Sequence, residues 1–344
     1  MAEKEKLKIH TSYKDRQKQH RTTKRNISWG SGVTEGIPFS WSMLRPSFWG
    51  AWCAISLLFL LVTILPYRVL MALGQGIGLL MHKFLKGRRY VVATNLKLAF
   101  PNLKQSERDQ LEKKIFANAG MAVFETGIAW FWPDWRLKRM LIIDPKELEL
   151  ARQLGAQDTR TIAFTCHMVT LEIGARLYAL AIKPGIGIYR SSDHPVWEYI
   201  QVKGRLRSNL ALIDRTDVRS MVKAVMKGYP IWYAPDQDYG RQASVFVPFF
   251  AVDKACTVTG LHDLARIKDV KVQPFWLVRE KKGYHLHVLP PLENFPTEDV
   301  TADTLRGNQM VEQMILSAPE QYLWMHRRFK TAPEGEPSRY PDIA

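Results

Sequence analysis

Apolar and polar positions fall into three regimes along the chain. Residues 1 to about 40 are polar and Lys/Arg-rich, then Gly/Ser-rich, with no apolar periodicity, which predicts a disordered basic tail. From Ser47 to Tyr67 there is no formal charge over 21 residues. A run near 20 apolar residues matches the hydrocarbon thickness of a bilayer. Trp49, Trp52 and Tyr67 near its ends suit interfacial anchoring, so a transmembrane helix is expected. A second apolar piece, Val69 to Met81, carries Gly74, Gly76 and Gly78 and is better suited to lying against the membrane or the domain. The near flanks, with Arg68, Lys83, Lys86, Arg88 and Arg89 against mainly Arg45, favour a cytoplasmic C-terminal side.

Residues 88 to 140 read as helices, and from about 145 to 290 strand and helix patterns alternate. Helix 146–155 leads to strand 161–166, a turn, and a helix to about 182. Strand 187–189 precedes helix 195–208, strand 211–213 precedes helix 217–227, and strand 231–234 follows. Helix 257–267 then leads to strands 272–278 and 284–289, before a last helix over 301–317. The alternation predicts an α/β fold with a largely parallel central sheet flanked by helices. The expected division is a tail over 1–40, an anchor and interfacial segment over 41–82, a catalytic domain over 83–330, and an extended tail over 331–344.

Polar residues collect where strands are expected to end, the edge at which open α/β sheets carry their chemistry. His167 follows strand 161–166, and Glu172 lies in the first turn of the helix beyond it. Residues five apart in one continuous helix differ by ~140° around the axis, so the pair can meet only if His167 lies outside the helix. Glu172 could then hold one ring nitrogen and leave the other basic. The plainer reading is a loop histidine and a glutamate that suits the helix dipole. Arg190, Asp214, Arg215, Asp236 and Asp238 fall at later strand ends, with Arg205 and Arg207 in the intervening helix region. Arginines around a His/Glu pair point to proton abstraction from a phosphorylated, hydroxyl-bearing substrate.

Composition changes this picture at a few points. The net charge of +16 over 344 residues implies an anionic partner: nucleic acid, a membrane surface or a phosphorylated substrate. Cys53, Cys166 and Cys256 form no paired framework or metal-like spacing, and Cys166 is expected in the core. Asp236-Gln-Asp238 could be the metal-binding triplet of a glycosyltransferase, a weak signal in isolation. His285 and His287 share a strand face but have no further ligand nearby in sequence, so no metal and no cofactor is expected. Phosphate-loop, dinucleotide and serine-hydrolase motifs are absent. A membrane-tethered nucleic-acid binder is a second alternative, opposed by basic residues that are scattered rather than gathered in a stripe.

Several blocks occur together in a recognisable order: His167-x4-Glu172, Gly187-Ile-Tyr-Arg190, Gly204-Arg-Leu-Arg-Ser-Asn209, Leu212-Ile-Asp-Arg215, Trp232-Tyr-Ala-Pro-Asp-Gln-Asp-Tyr-Gly240, Val245-Phe-Val-Pro-Phe-Phe250 and Pro319 to Lys330. Over about residues 40 to 340 the chain resembles the late, or secondary, acyltransferases of bacterial lipid A biosynthesis, most of all the lauroyl-transferring branch. The resemblance implies a single-pass inner-membrane enzyme whose catalytic domain faces the cytoplasm. It would take an acyl chain from acyl carrier protein and place it on the 3-hydroxyl of an acyl chain of a phosphorylated, Kdo-bearing glycolipid, with no nucleic-acid partner. Within it His167 is the general base, Glu172 orients it, and Arg205 and Asp236 match positions needed for activity. Arg190, Arg207, Arg215 and Asp238 are the expected substrate contacts. The basic N-terminal tail departs from the family pattern.

Overall fold

The computed structural model describes residues 32–156 and 159–341. The basic tail expected over 1–40 therefore lies, up to residue 31, outside the described residues. In chain order the elements are β1 (Val33–Thr34), α1 (Trp49–Ile64), α2 (Tyr67–Phe84), α3 (Lys86–Ala99), α4 (Gln105–Phe131), α5 (Asp134–Lys138), β2 (Leu141–Ile142), α6 (Pro145–Ala156), β3 (Arg160–Phe164), α7 (Leu171–Ala181), β4 (Gly185–Tyr189), α8 (Pro195–Arg205), β5 (Asn209–Asp214), α9 (Val218–Met226), β6 (Ile231–Tyr233), β7 (Ser244–Phe249), β8 (Val252–Val258), α10 (Gly260–Ala265), β9 (Val270–Arg279), β10 (Tyr284–Val288) and α11 (Val300–Leu316).

The main sheet runs β1-β5-β4-β6-β3-β9-β10-β2. It is mostly parallel; only β1 on β5 and β10 on β9 are antiparallel. Side chains alternate across it, and helices cover both faces. Ile162 and Phe164 of β3 enter one apolar core with Met221, Leu264 and Ile315. Ala163 enters the other, with Ile173, Leu177 and Phe275. Burial on both faces is why the inner strands read as near-continuous apolar runs.

Two stretches depart from the sequence pattern, the first being Val33–Thr34, which lies inside the expected disordered tail yet forms β1 on the edge of β5. Residues 244–258, most of them given no element, form the separate hairpin β7–β8, and the helix expected over 257–267 shrinks to α10. Pro248 interrupts the first strand, and a proline inside an apolar run argues against a strand. The turn is made by Phe250 at a φ of 52° rather than by glycine or asparagine, so no turn signal marks it.

Most of the uncharged run forms α1, with a short 3-10 turn before it, Pro46–Phe48, and the helix ends at Ile64, two residues ahead of Pro66. By length and composition Pro46–Ile64 could cross a membrane, and only 11% of its most apolar window is buried. Both of its flanks are tied to the same sheet. Before it, β1 pairs with β5; after it, the Tyr67 hydroxyl bonds that of Tyr284 in β10 at 3.1 Å. Next, α2 docks on α4 through glycines, and a Cβ on Gly120 would come within 2.1 Å of the Gly74 carbonyl oxygen. The opposite side of α2, with Leu73, Leu80 and Phe84, is exposed.

Gly120→Ala is therefore expected to force the two helices apart and to lower stability by about 1–3 kcal/mol or more. Gly76→Ala, where a Cβ meets open space, should leave stability unchanged or slightly raised. Thermal unfolding of the two variants in detergent checks this, and equal midpoints would refute the docking.

Candidate active site

Two adjacent parallel strands deliver the central pair. In β3 and β6, Phe164 lies opposite Tyr233, and the ladder continues one step through Thr165 N–H to the Tyr233 carbonyl. Just past these ends stand His167 and Asp236. The Asp236 carboxylate grips His167 twice: Oδ2 accepts its backbone N–H at 3.0 Å and Oδ1 accepts Nδ1–H at 2.7 Å. One buried carboxylate thus fixes both the position of residue 167 and the rotation of its ring. Because a carboxylate only accepts, Nδ1 carries the proton and Nε2 keeps a lone pair. Among the described residues no protein group bonds Nε2, and the His167 side chain is 24% exposed.

This differs from the sequence expectation for Glu172. Its Oε1 accepts from Nε and Nη2 of Arg205 at 2.8 and 2.6 Å, and its Oε2 accepts from Trp130 Nε1 at 3.0 Å. Glu172 therefore orients Arg205, while the carboxylate that orients His167 is Asp236. Gly204, beside Arg205, exists for the same contact, since a Cβ there would sit 2.4 Å from the Trp130 ring.

The charges follow the geometry. Burial works against an ionised Asp236, but the His167 charge and hydrogen bonds win and hold it down to about 2. Burial likewise favours a neutral His167. The charge and hydrogen bond of Asp236 outweigh it, Arg205 opposes them, and the net is upward from the ordinary histidine value. Cys166 is core, as expected, and burial lifts its thiol well above the usual range, so it is no nucleophile.

The remaining expected contacts divide. Arg190 and Arg215 are exposed beyond β4 and β5, with the Arg215 guanidinium 5.4 Å from the Tyr239 ring. Arg207 turns away from the pair: Nη1 donates to the Trp130 carbonyl and Nη2 to that of Trp132 at 2.8 Å. It caps carbonyls left open at the end of α4, as the buried Arg176 does at Ala129. Asp238 is also structural. Its carboxylate accepts from the Gly240 amide and from both the amide and hydroxyl of Thr331. With Asp236 clamping His167 as well, the Asp-x-Asp reading has lost its metal ligands.

The Pro319 to Lys330 block, which the sequence marked only through the resemblance and without a role, closes the site from behind. Leu323 N–H donates to the His167 carbonyl at 3.0 Å, Val169 N–H to that of Gln321 at 2.8 Å, and Tyr322 forms a bridge with Met168. His326 Nε2 accepts the Asp238 amide at 3.2 Å. Burial brings His326 down to about 4, so it stays neutral and can accept. The signal available was the Gln321-Tyr-Leu-Trp-Met-His326 run itself, aromatic and polar together after the last helix. Trp130 had one too, in the aromatic cluster ending α4.

Residues 37–331 match the family described as bacterial lipid A biosynthesis acyltransferase. The chain belongs to that family. It is similar to the lipid A biosynthesis lauroyltransferase of Escherichia coli (strain K12), 45% identical over 304 residues, which are 88% of this chain and 98% of the relative. Identity to the palmitoleoyltransferase of the same organism is 40% over the same shares, and to its myristoyltransferase 29% over 92% of this chain and 97% of the relative. This acyltransferase therefore stands in the lauroyl branch of the late enzymes.

The clamp has a stability signature. The Asp236 carboxyl, held low, contributes stability that is complete above its unfolded value of ~3.9 and lost as pH falls through about 2. His167, held high, contributes stability that is complete below its unfolded ~6.5 and lost as pH rises through its raised value. The unfolding midpoint of wild type minus that of Asp236→Asn should be largest between about pH 4 and 6.5 and shrink on both sides. A difference independent of pH would show that the two groups do not interact.

Proposed function

We propose that this acyltransferase moves an acyl chain, lauroyl or similar, from acyl carrier protein to the 3-hydroxyl of an acyl chain on a Kdo-bearing lipid A precursor, with His167 as general base. The observation that carries the reading is a free Nε2 on a histidine whose Nδ1 is held by a buried carboxylate. The acceptor oxygen attacks the thioester carbonyl as Nε2 takes its proton, and Asp236 stabilises the imidazolium so formed. On collapse the C–S bond breaks and the same proton goes to the leaving thiolate. Arg205 is fixed by Glu172 through Nε and Nη2, and among the described residues no group bonds Nη1, which serves as a donor to the oxyanion.

Substrate chemistry fits the surroundings. A groove of about 700 Å³ shares with the site the Trp130 side chain that holds Glu172, and it is lined by Trp130, Phe131 and Trp135 with Asp134, Lys138, Lys203 and Arg207. An aromatic floor with cations suits an anionic amphiphile. The overall charge of +16 suits an acidic carrier protein and a phosphorylated lipid, and Arg190 and Arg215 are exposed for phosphate.

Attachment to the inner membrane falls to α1 and α2. The exposed Leu57, Leu60 and Ile64 of α1 and Leu80 and Phe84 of α2 supply apolar surface, with Trp41 and Trp49 beside them for the headgroup layer. A single pass would put the flanks of α1 on opposite sides of a hydrocarbon core ~30 Å thick. Here both flanks are bonded to one sheet, which supports α1 lying along the cytoplasmic leaflet instead.

Mass spectrometry of the phosphorylated acceptor, incubated with a panel of acyl carrier protein thioesters, should find one added chain, with the lauroyl donor among the fastest. No product from any donor would sink the reading. His167→Ala should lose ~10²–10⁴-fold in kcat/KM, and the wild-type acid limb should fall above the ordinary histidine pKa, since only neutral His167 accepts a proton. For the anchor, Pro38→Cys and Lys281→Cys, each in a Cys53→Ala background, should both resist an impermeant maleimide in intact spheroplasts and react after lysis. Labelling of Pro38→Cys in intact spheroplasts would establish a crossing.

A further inference from the structure

Away from His167, three side chains converge at the β10 edge without bonding one another. Alternation along β10 puts His285 and His287 on one face. Their rings stack with centroids 4.0 Å apart, and Trp276 stacks beneath His287 at 4.6 Å. The sequence offered no further ligand, but the fold brings Glu147 from the first turn of α6. Its Oε2 lies 3.9 Å from His285 Nε2 and its Oε1 3.6 Å from His287 Nδ1. One candidate donor atom from each residue lies within 4.8 Å of the others.

These separations are too long for hydrogen bonds. Glu147 Oε2 and His285 Nε2 are buried atoms with no partner. The tautomer of His285 sharpens the problem. Glu280 Oε1 is 3.0 Å from Nδ1, so Nδ1 donates there and Nε2 presents a lone pair. That lone pair faces a carboxylate oxygen, an acceptor against an acceptor, with a gap wider than a shared proton bridges. A cation between them removes the conflict. Tetrahedral zinc with bonds of ~2.0–2.1 Å sets neighbouring ligand atoms roughly 3.4 Å apart, so the three donors, which lie within 4.8 Å of one another, draw inward and the stacked His285 and His287 rings rotate until the ion lies in the plane of each. Glu280 completes a carboxylate–histidine–metal relay of the kind that orients ligating imidazoles. The three side chains are each between 20 and 24% exposed, which leaves an entry path and a place for water as fourth ligand.

We propose that Glu147, His285 and His287 bind one divalent transition-metal ion, zinc by donor set, which staples the start of α6 to β10. The ion bridges a helix and a strand joined otherwise by the Val288 amide, which donates to the Glu147 carboxylate, and by apolar packing of Leu154 and Leu150 near Tyr284 and Leu286. It takes no part in acyl transfer.

The test uses tag-free, full-length protein in detergent, stripped with chelator and titrated with Co²⁺, read by its visible absorption, and then with Zn²⁺. Wild type should take up one equivalent that Glu147→Gln loses or binds at least tenfold more weakly, with unchanged circular dichroism, and Zn²⁺ should raise the unfolding midpoint of wild type alone. Should Glu147→Gln fail to fold, His285→Gln gives the same reading. Equal uptake by wild type and a folded variant, or uptake by neither, overturns the site.

Discussion

Everything in the site depends on one carboxylate with two acceptors in use. Asp236 is buried, and a buried carboxylate is tolerable only where its lone pairs are satisfied. It finds both donors on His167, the backbone amide and Nδ1. The cost of burying the charge is thereby converted into geometry, because the bonds that stabilise Asp236 also set where the imidazole sits and which nitrogen is basic. Parallel pairing of β3 with β6 makes the contact, since it brings two strand ends from distant parts of the chain to one edge.

Around that clamp the carboxylate expected on His167 is found on a different partner. Asp236 serves His167; Glu172 serves Arg205, with Trp130 holding the second glutamate oxygen. The imidazole and the guanidinium are thus each fixed by their own anion. The segment after α11 locks the arrangement from the other side through the His167 carbonyl, and Gln321 ties the same segment to Arg279 at the end of β9. The chain beyond it still contributes, for Tyr340 is buried and its hydroxyl accepts the Phe329 amide at 3.1 Å.

How far the sequence went follows from how local each signal was. The strand ending before His167 was legible because β3, buried on both faces, is an unbroken apolar run. The parallel sheet was legible from its alternation with helices. The partner of His167 was not, because Glu172 is close in sequence while Asp236 is 69 positions away, and only the β3–β6 pairing makes them neighbours. Arg205 and Arg207 are two residues apart with the same chemistry, yet one meets Glu172 and the other caps α4. No periodicity distinguishes those fates. Glu147 beside His285 and His287 is another long-range meeting of this kind, invisible until α6 docks on β10.

Nitrogen-15 NMR of histidine-labelled protein shows whether Asp236 rather than Glu172 sets the tautomer of His167. A His167 ring protonated at Nδ1 with a strongly deshielded, hydrogen-bonded proton is expected in wild type and in Glu172→Gln and not in Asp236→Asn. A signal that survives Asp236→Asn and disappears in Glu172→Gln would contradict that role of Asp236.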